Sequence, residues 1–169
     1  MKNICRRKEN PAPIQRNKNE ITILCITNTY LPGYKGGGPI RTIHNMVQWL
    51  GNIYDFRIIT ADRDLDDDEP YPGIRVNTWM QLESAEVMYV SPTNRRLFFW
   101  WKLLKQQKYD ILYFNSFFSK LTVYSLLFYK FFRRQDKTVV LAPRGEFSKG
   151  ALALKRQKKH FYQNRKKDF

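Results

Sequence analysis

The sequence predicts an α/β layered fold with a mainly parallel sheet, and three observations carry that prediction. Short apolar runs alternate with segments of helical periodicity along most of the chain. The runs "ITILCIT", "FRIIT", "ILYF" and "TVVLA" are almost continuously apolar, as strands covered on both faces must be. A glycine-rich turn, Gly36-Gly37-Gly38-Pro39, joins the first run directly to the first helical segment.

Taken in order, residues 1–19 are rich in Lys, Arg, Asn and Pro and lack periodicity, which reads as a flexible basic leader ahead of one domain over 20–169. Ile21–Thr27 reads as a strand. Pro39–Leu50 reads as a helix, because Ile40, Ile43, Met46, Val47 and Leu50 recur on one face. Phe56–Ala61 is a strand, and residues 62–72 form an acidic, turn-rich loop. Ile74–Trp79 and Val87–Val90 are short strands. Thr93–Gln107 is a helix with Thr93 as N-cap. Ile111–Asn115 is a strand, and Ser119–Arg134 a helix capped by Ser119. Thr138–Ala142 is the last strand, and a basic helix follows from about residue 150.

Charge is the compositional outlier. Thirty Lys and Arg face fifteen Asp and Glu, leaving +15. Such an excess suits an anionic partner: phosphates, an anionic membrane surface or nucleic acid. The basic ends carry no base-reading motif, which argues against nucleic acid. Two cysteines make no disulfide framework, and Cys25 in its apolar run is a buried thiol, so a cytoplasmic location is expected. Neither a signal peptide nor a membrane-spanning helix is expected. The segments "LFFWWKLL" and "LTVYSLLFYKFF" are too short to span and read as core helices, or, if partly exposed beside Lys and Arg, as a peripheral membrane surface.

The glycine turn suits an anion. Glycine lets the backbone approach a ligand closely, and proline in the first helical turn gives up an N–H that had no partner anyway. The remaining amides and the positive end of the helix favour phosphate, with Lys35 and Arg41 nearby. A tight turn that merely needs small residues is the other reading. The spacing fits neither a Walker A loop nor a dinucleotide fingerprint. In "LAPRGEFSKGALALKRQKKHFYQ", Arg144 and Glu146 follow a strand end and belong on the same edge of the sheet as the glycines. Arg144 suits a planar anion. Alternatively, Arg144 and Glu146 pair and stiffen the turn. Asn115 and Ser116, just past another strand end, are candidate acceptor contacts.

Other residues read as structural. His44 belongs to the first helix, and His160 lies too far away in sequence to make a metal site with it. The acidic run Asp62, Asp64, Asp66, Asp67, Asp68, Glu69 lacks the glycine and final glutamate of a calcium loop and reads as solvated. No metal site and no cofactor are expected.

Four stretches in order, "ITNTYLPGYKGGGPIRTIHNMVQWL", "DFRIITADRD", "DILYFNSFFS" and "VVLAPRGEFSKGALALKRQKKHFY", together resemble the N-terminal domain of family 4 glycosyltransferases of the GT-B fold. The resemblance covers roughly residues 20–163 and is most distinctive in the Ala-Pro-Arg-Gly-Glu-Phe-Ser-Lys-Gly run. It is closest in character to bacterial members that build surface polysaccharides.

The resemblance implies one of two Rossmann-like domains facing a cleft. This one would hold a glycan or lipid-linked acceptor, and Gly36, Gly37 and Gly38 would reach the diphosphate of a nucleotide-sugar donor held mainly by the other domain. Transfer would retain anomeric configuration and need no metal. The family's Glu-x7-Glu motif has no counterpart, since no two glutamates here stand at that spacing. The expectation is therefore half of an enzyme, inactive alone. The alternative is a stand-alone basic α/β module that binds a phosphorylated, anionic-lipid or nucleic-acid partner.

Overall fold

A computed structural model describes residues 21–91, 97–117, 119–132 and 137–149. The expected leader, the Thr93 cap and the basic helix beyond residue 150 lie outside the described residues.

Strands β1 (Thr22–Ile26), β2 (Asp55–Ala61), β3 (Trp79–Leu82), β4 (Ala85–Val90), β5 (Ile111–Phe114) and β6 (Thr138–Leu141) form one sheet in the order β3-β4-β2-β1-β5-β6. Every pairing is parallel except β3 with β4. Helices α1 (Gly38–Leu50), α2 (Leu97–Gln106) and α3 (Lys120–Phe132) fill the connections. This is a Rossmann-like α/β/α arrangement, as the apolar runs predict.

The two-residue period of the strands divides the core between the faces of the sheet. Ile23 and Cys25 of β1 point to one face and pack with Ile40, Ile43 and Val47 of α1. Leu24 and Ile26 point to the other and pack with Trp100, Leu103 and Leu104 of α2 and Leu121 and Phe128 of α3. The chain steps from β1 outward to β2 and β4, then returns across β1 to β5 and β6. Such a reversal of strand order opens a crevice above the carboxyl ends of β1 and β5.

Two expectations are corrected. Ile74–Trp79 is not a strand: Val76 makes only an isolated bridge to Tyr89, and the edge strand begins at Trp79 and runs antiparallel. The physical reason is Asn77, whose φ of 60° turns the chain while its N–H donates to the Tyr89 carbonyl. The acidic loop is not uniformly solvated either, for Asp62 and Asp64 are buried. The Asp64 carboxylate accepts the backbone N–H groups of Tyr34 at 2.7 Å, Lys35 at 3.0 Å and Leu65 at 2.8 Å. Burial works against its ionisation, but these three donors and the nearby Lys35 ammonium outweigh it and hold the carboxyl below its usual range.

Candidate functional site

Three loops meet above the reversal of strand order. Their level is set by ladder bonds at the carboxyl edge: Thr27 N–H donates to Ile59, Asn115 N–H to Ile26, and Ala142 N–H to Phe114. The loop after β1 carries the glycines, the loop after β5 carries Asn115 and Ser116, and the loop after β6 carries Arg144 and Glu146.

The three glycines serve different purposes. A Cβ on Gly36 would collide with Thr29 Oγ1 and lie 3.0 Å from Ile40 Cδ1, so Gly36 is small because the loop packs there. Gly37 is the N-cap of α1 at φ 61° and ψ −125°, a conformation that side chains disfavour. Gly38 has neither constraint: a Cβ there would project into open space. Pro39 has no N–H, and the amides of Gly38 and Ile40 have no partner among the described residues. The first turn of α1 therefore presents bare donors. Lys35 pairs with Asp67 beside them.

Asn115 is the hub. It is buried, and its Nδ2 donates to the Pro39 carbonyl at 3.3 Å while its Oδ1 accepts from Arg144 Nε at 2.6 Å. The carboxamide thus ties the first turn of α1 to the guanidinium. Arg144 Nη2 donates to the Tyr113 hydroxyl at 2.6 Å. Burial raises the pKa of that phenol, and the guanidinium beside it works in the opposite direction. Nη1 has no partner among the described residues, so the outer edge of Arg144 remains available to an anion.

The turn that carries Arg144 is strained. Arg144 and Gly145 sit at φ 50° and 75°, and Glu146 N–H closes the turn on the Pro143 carbonyl at 2.9 Å. For a residue with a Cβ, this conformation costs on the order of 1 kcal/mol or more and persists only where its surroundings hold it. Glu146 is one such restraint. Its carboxylate accepts from Ser116 Oγ at 2.7 Å and from Phe117 N–H at 2.6 Å, anchoring the β6 loop to the β5 loop. Arg144 and Glu146 thus turn to different partners, and both brace one turn.

The structure brings Gly36–Gly38, Arg144, Glu146, Asn115 and Ser116 to one edge of the sheet. Asn115, Ser116 and Glu146 engage one another's loops, Gly37 and Gly38 border open space, and Arg144 bonds Asn115 and Tyr113 while its Nη1 has no partner among the described residues. Sequence reasoning missed Tyr113, which supports the guanidinium, and Asp64, which clamps the loop leading to the glycines. Tyr113 looks like an ordinary strand aromatic, and Asp64 is hidden in an acidic run. His44, half-buried on α1, has Nδ1 3.6 Å from Glu83 Oε2, away from the crevice loops. Among the described residues no group of three His, Cys, Asp or Glu could hold a metal ion. No helix among them is long and apolar enough to cross a membrane.

Fold and site together define a doubly wound α/β domain with an anion-suited crevice at its strand-order reversal. Comparisons with protein-family models, curated proteins and solved structures find no match for this chain.

Proposed function

We propose that this chain is the acceptor-side, Rossmann-like domain of a retaining family 4 glycosyltransferase of surface-polysaccharide assembly. It would help move a sugar from a nucleotide-sugar donor to a glycan or lipid-linked acceptor. The observation that carries the reading is the pairing of the bare α1 amides at Gly38 and Ile40 with Arg144, both fixed by Asn115. In glycosyl transfer the bond from the anomeric carbon to the diphosphate oxygen breaks, and negative charge grows on the departing diphosphate. Donors fixed in advance at that position lower the barrier more than mobile surface lysines do. Gly37 and Gly38 would let the phosphate approach the backbone, and Arg144 would offer its free edge. Asn115, Glu146 and Tyr113 would be positioning residues.

The test is a titration of the 169-residue chain with inorganic pyrophosphate and with nucleoside diphosphates, read by amide chemical shifts. Shifts centred on Gly37, Gly38 and Ile40, and binding weakened about tenfold by Arg144→Gln, are expected. Binding indifferent to Arg144→Gln would defeat the reading.

The charge of +15 favours a second reading, a basic module for a phosphorylated or nucleic-acid partner. That reading requires binding governed by the terminal Lys and Arg clusters, with steep salt dependence and no response to Gly38 or Arg144 substitutions.

A further inference from the structure

Helix α1 has an outer stripe that neither the core nor the crevice uses. Arg41, Asn45 and Trp49 stand four residues apart on it and are all exposed. Trp49, at 82%, is the most exposed large apolar side chain among the described residues. Ile53, 58% exposed, extends the apolar surface just past the helix. No Lys, Arg, Asp or Glu stands between Arg41 and Asp55, in a chain whose net charge is +15. The side chains of Arg41, Asn45 and Trp49 make no hydrogen bond, ion pair or ring contact with any described residue.

We infer that this stripe is a contact between two copies of the chain. A two-fold axis through Asn45, perpendicular to α1, sets the two helices antiparallel. Arg41 and Trp49 lie equally far from Asn45 along the helix, about 6 Å on either side. The same axis therefore brings each Arg41 guanidinium over the partner's Trp49 indole, so the stripe is its own complement. Charge selects the same occupant. Two chains of +15 repel wherever lysines and arginines face each other, and this uncharged stretch is where they approach with least repulsion. An exposed tryptophan in a charge-depleted patch has the composition of an interface centre. A strongly acidic partner would find only Arg41 to pair with here. The inference does not rest on the glycosyl-transfer reading, because self-association is measured without any ligand.

The experiment is sedimentation velocity of the 169-residue chain over a series of loading concentrations. A reversible monomer–dimer equilibrium is expected. Trp49→Ser should raise its dissociation constant at least about tenfold. Arg41→Gln should raise it about threefold by removing the cation over the indole. Asn45→Lys, which sets two ammonium groups against each other on the axis, should raise it at least about tenfold. Phe98→Ser, an equally exposed aromatic on another helix, should leave it unchanged. Salt gives a second readout, because screening weakens the repulsion between two cationic chains. Raising NaCl from about 0.05 M to about 0.5 M should strengthen the dimer at least about threefold. All four positions are exposed, and matched thermal melts check that the variants fold. A chain that stays monomeric throughout overturns the inference, and so does a dimer that survives Trp49→Ser and Asn45→Lys. A dimer lost in Phe98→Ser alone would assign the contact to α2, and one dissolved by salt would assign it to opposite charges; either outcome also overturns it.

Discussion

Arg144 Nε donates to Asn115 Oδ1 at 2.6 Å from a backbone held at φ 50°. A left-handed arginine and a buried carboxamide thus share one bond above the reversal of strand order. The strain and the bond belong together, because the turn aims the side chain back over β5 toward Tyr113 and Asn115.

Relief of that strain is measurable. Arg144→Ala and Arg144→Gly both delete the guanidinium, but only glycine accepts the left-handed conformation without cost. Arg144→Gly should be more stable than Arg144→Ala by about 1 kcal/mol in urea unfolding. Equal stabilities would show that the turn relaxes once the side chain is gone.

The glycines should separate in the same assay. Gly36→Ala should cost about 1–3 kcal/mol through the clash with Thr29. Gly37→Ala should cost a similar ~1–3 kcal/mol through backbone strain. Gly38→Ala should change stability by less than about 0.5 kcal/mol, since it meets only open space. If Gly38→Val folds normally and loses pyrophosphate binding, the crevice reading gains direct support. If it binds as wild type does, the amides are not the anion site.

Asp64 makes stability depend on pH in a defined direction. Its folded pKa is depressed below the ordinary 3.8, so its contribution is complete above that value and is lost as pH falls through the folded pKa. At neutral pH, Asp64→Asn should cost about 1–3 kcal/mol, because three backbone donors lose a charged acceptor. The gap between wild type and variant should close in acid, below pH 3.8. A gap constant from pH 7 downward would mean that the carboxylate's charge is not what the loop uses.

Cys25 is fully buried, and burial pushes its thiol far above the ordinary range, with the Arg144 guanidinium opposing only weakly. In a Cys5→Ser background, the remaining thiol should resist a disulfide reagent at mildly alkaline pH and react fully in denaturant. Rapid reaction in the native state would indicate that the sheet opens locally.

The strand and helix series was legible in the sequence because each element advertises its own surroundings. "ITILCIT" is apolar throughout because both faces of β1 are covered, and Ile40, Ile43 and Val47 recur because α1 buries one face. That the candidate residues share one edge was legible too, since the glycines and Arg144 follow strand ends whose edge is common in a parallel sheet. The division of labour within it was not. Asn115 reaches Pro39 across 76 residues, Arg144 reaches Asn115 across 29, and Asp64 reaches Tyr34 across 30.

Local composition sets periodicity, turn chemistry and charge, and these determined the fold class of this protein and the edge on which its candidate site residues lie. Only the tertiary structure decided that Gly38 is open while Gly36 is packed, that Asp64 is a buried clamp, and that Asn115 joins α1 to Arg144. Those facts depend on hydrogen bonds and contacts between segments far apart in the chain, and such pairings leave no trace in either partner's own neighbourhood.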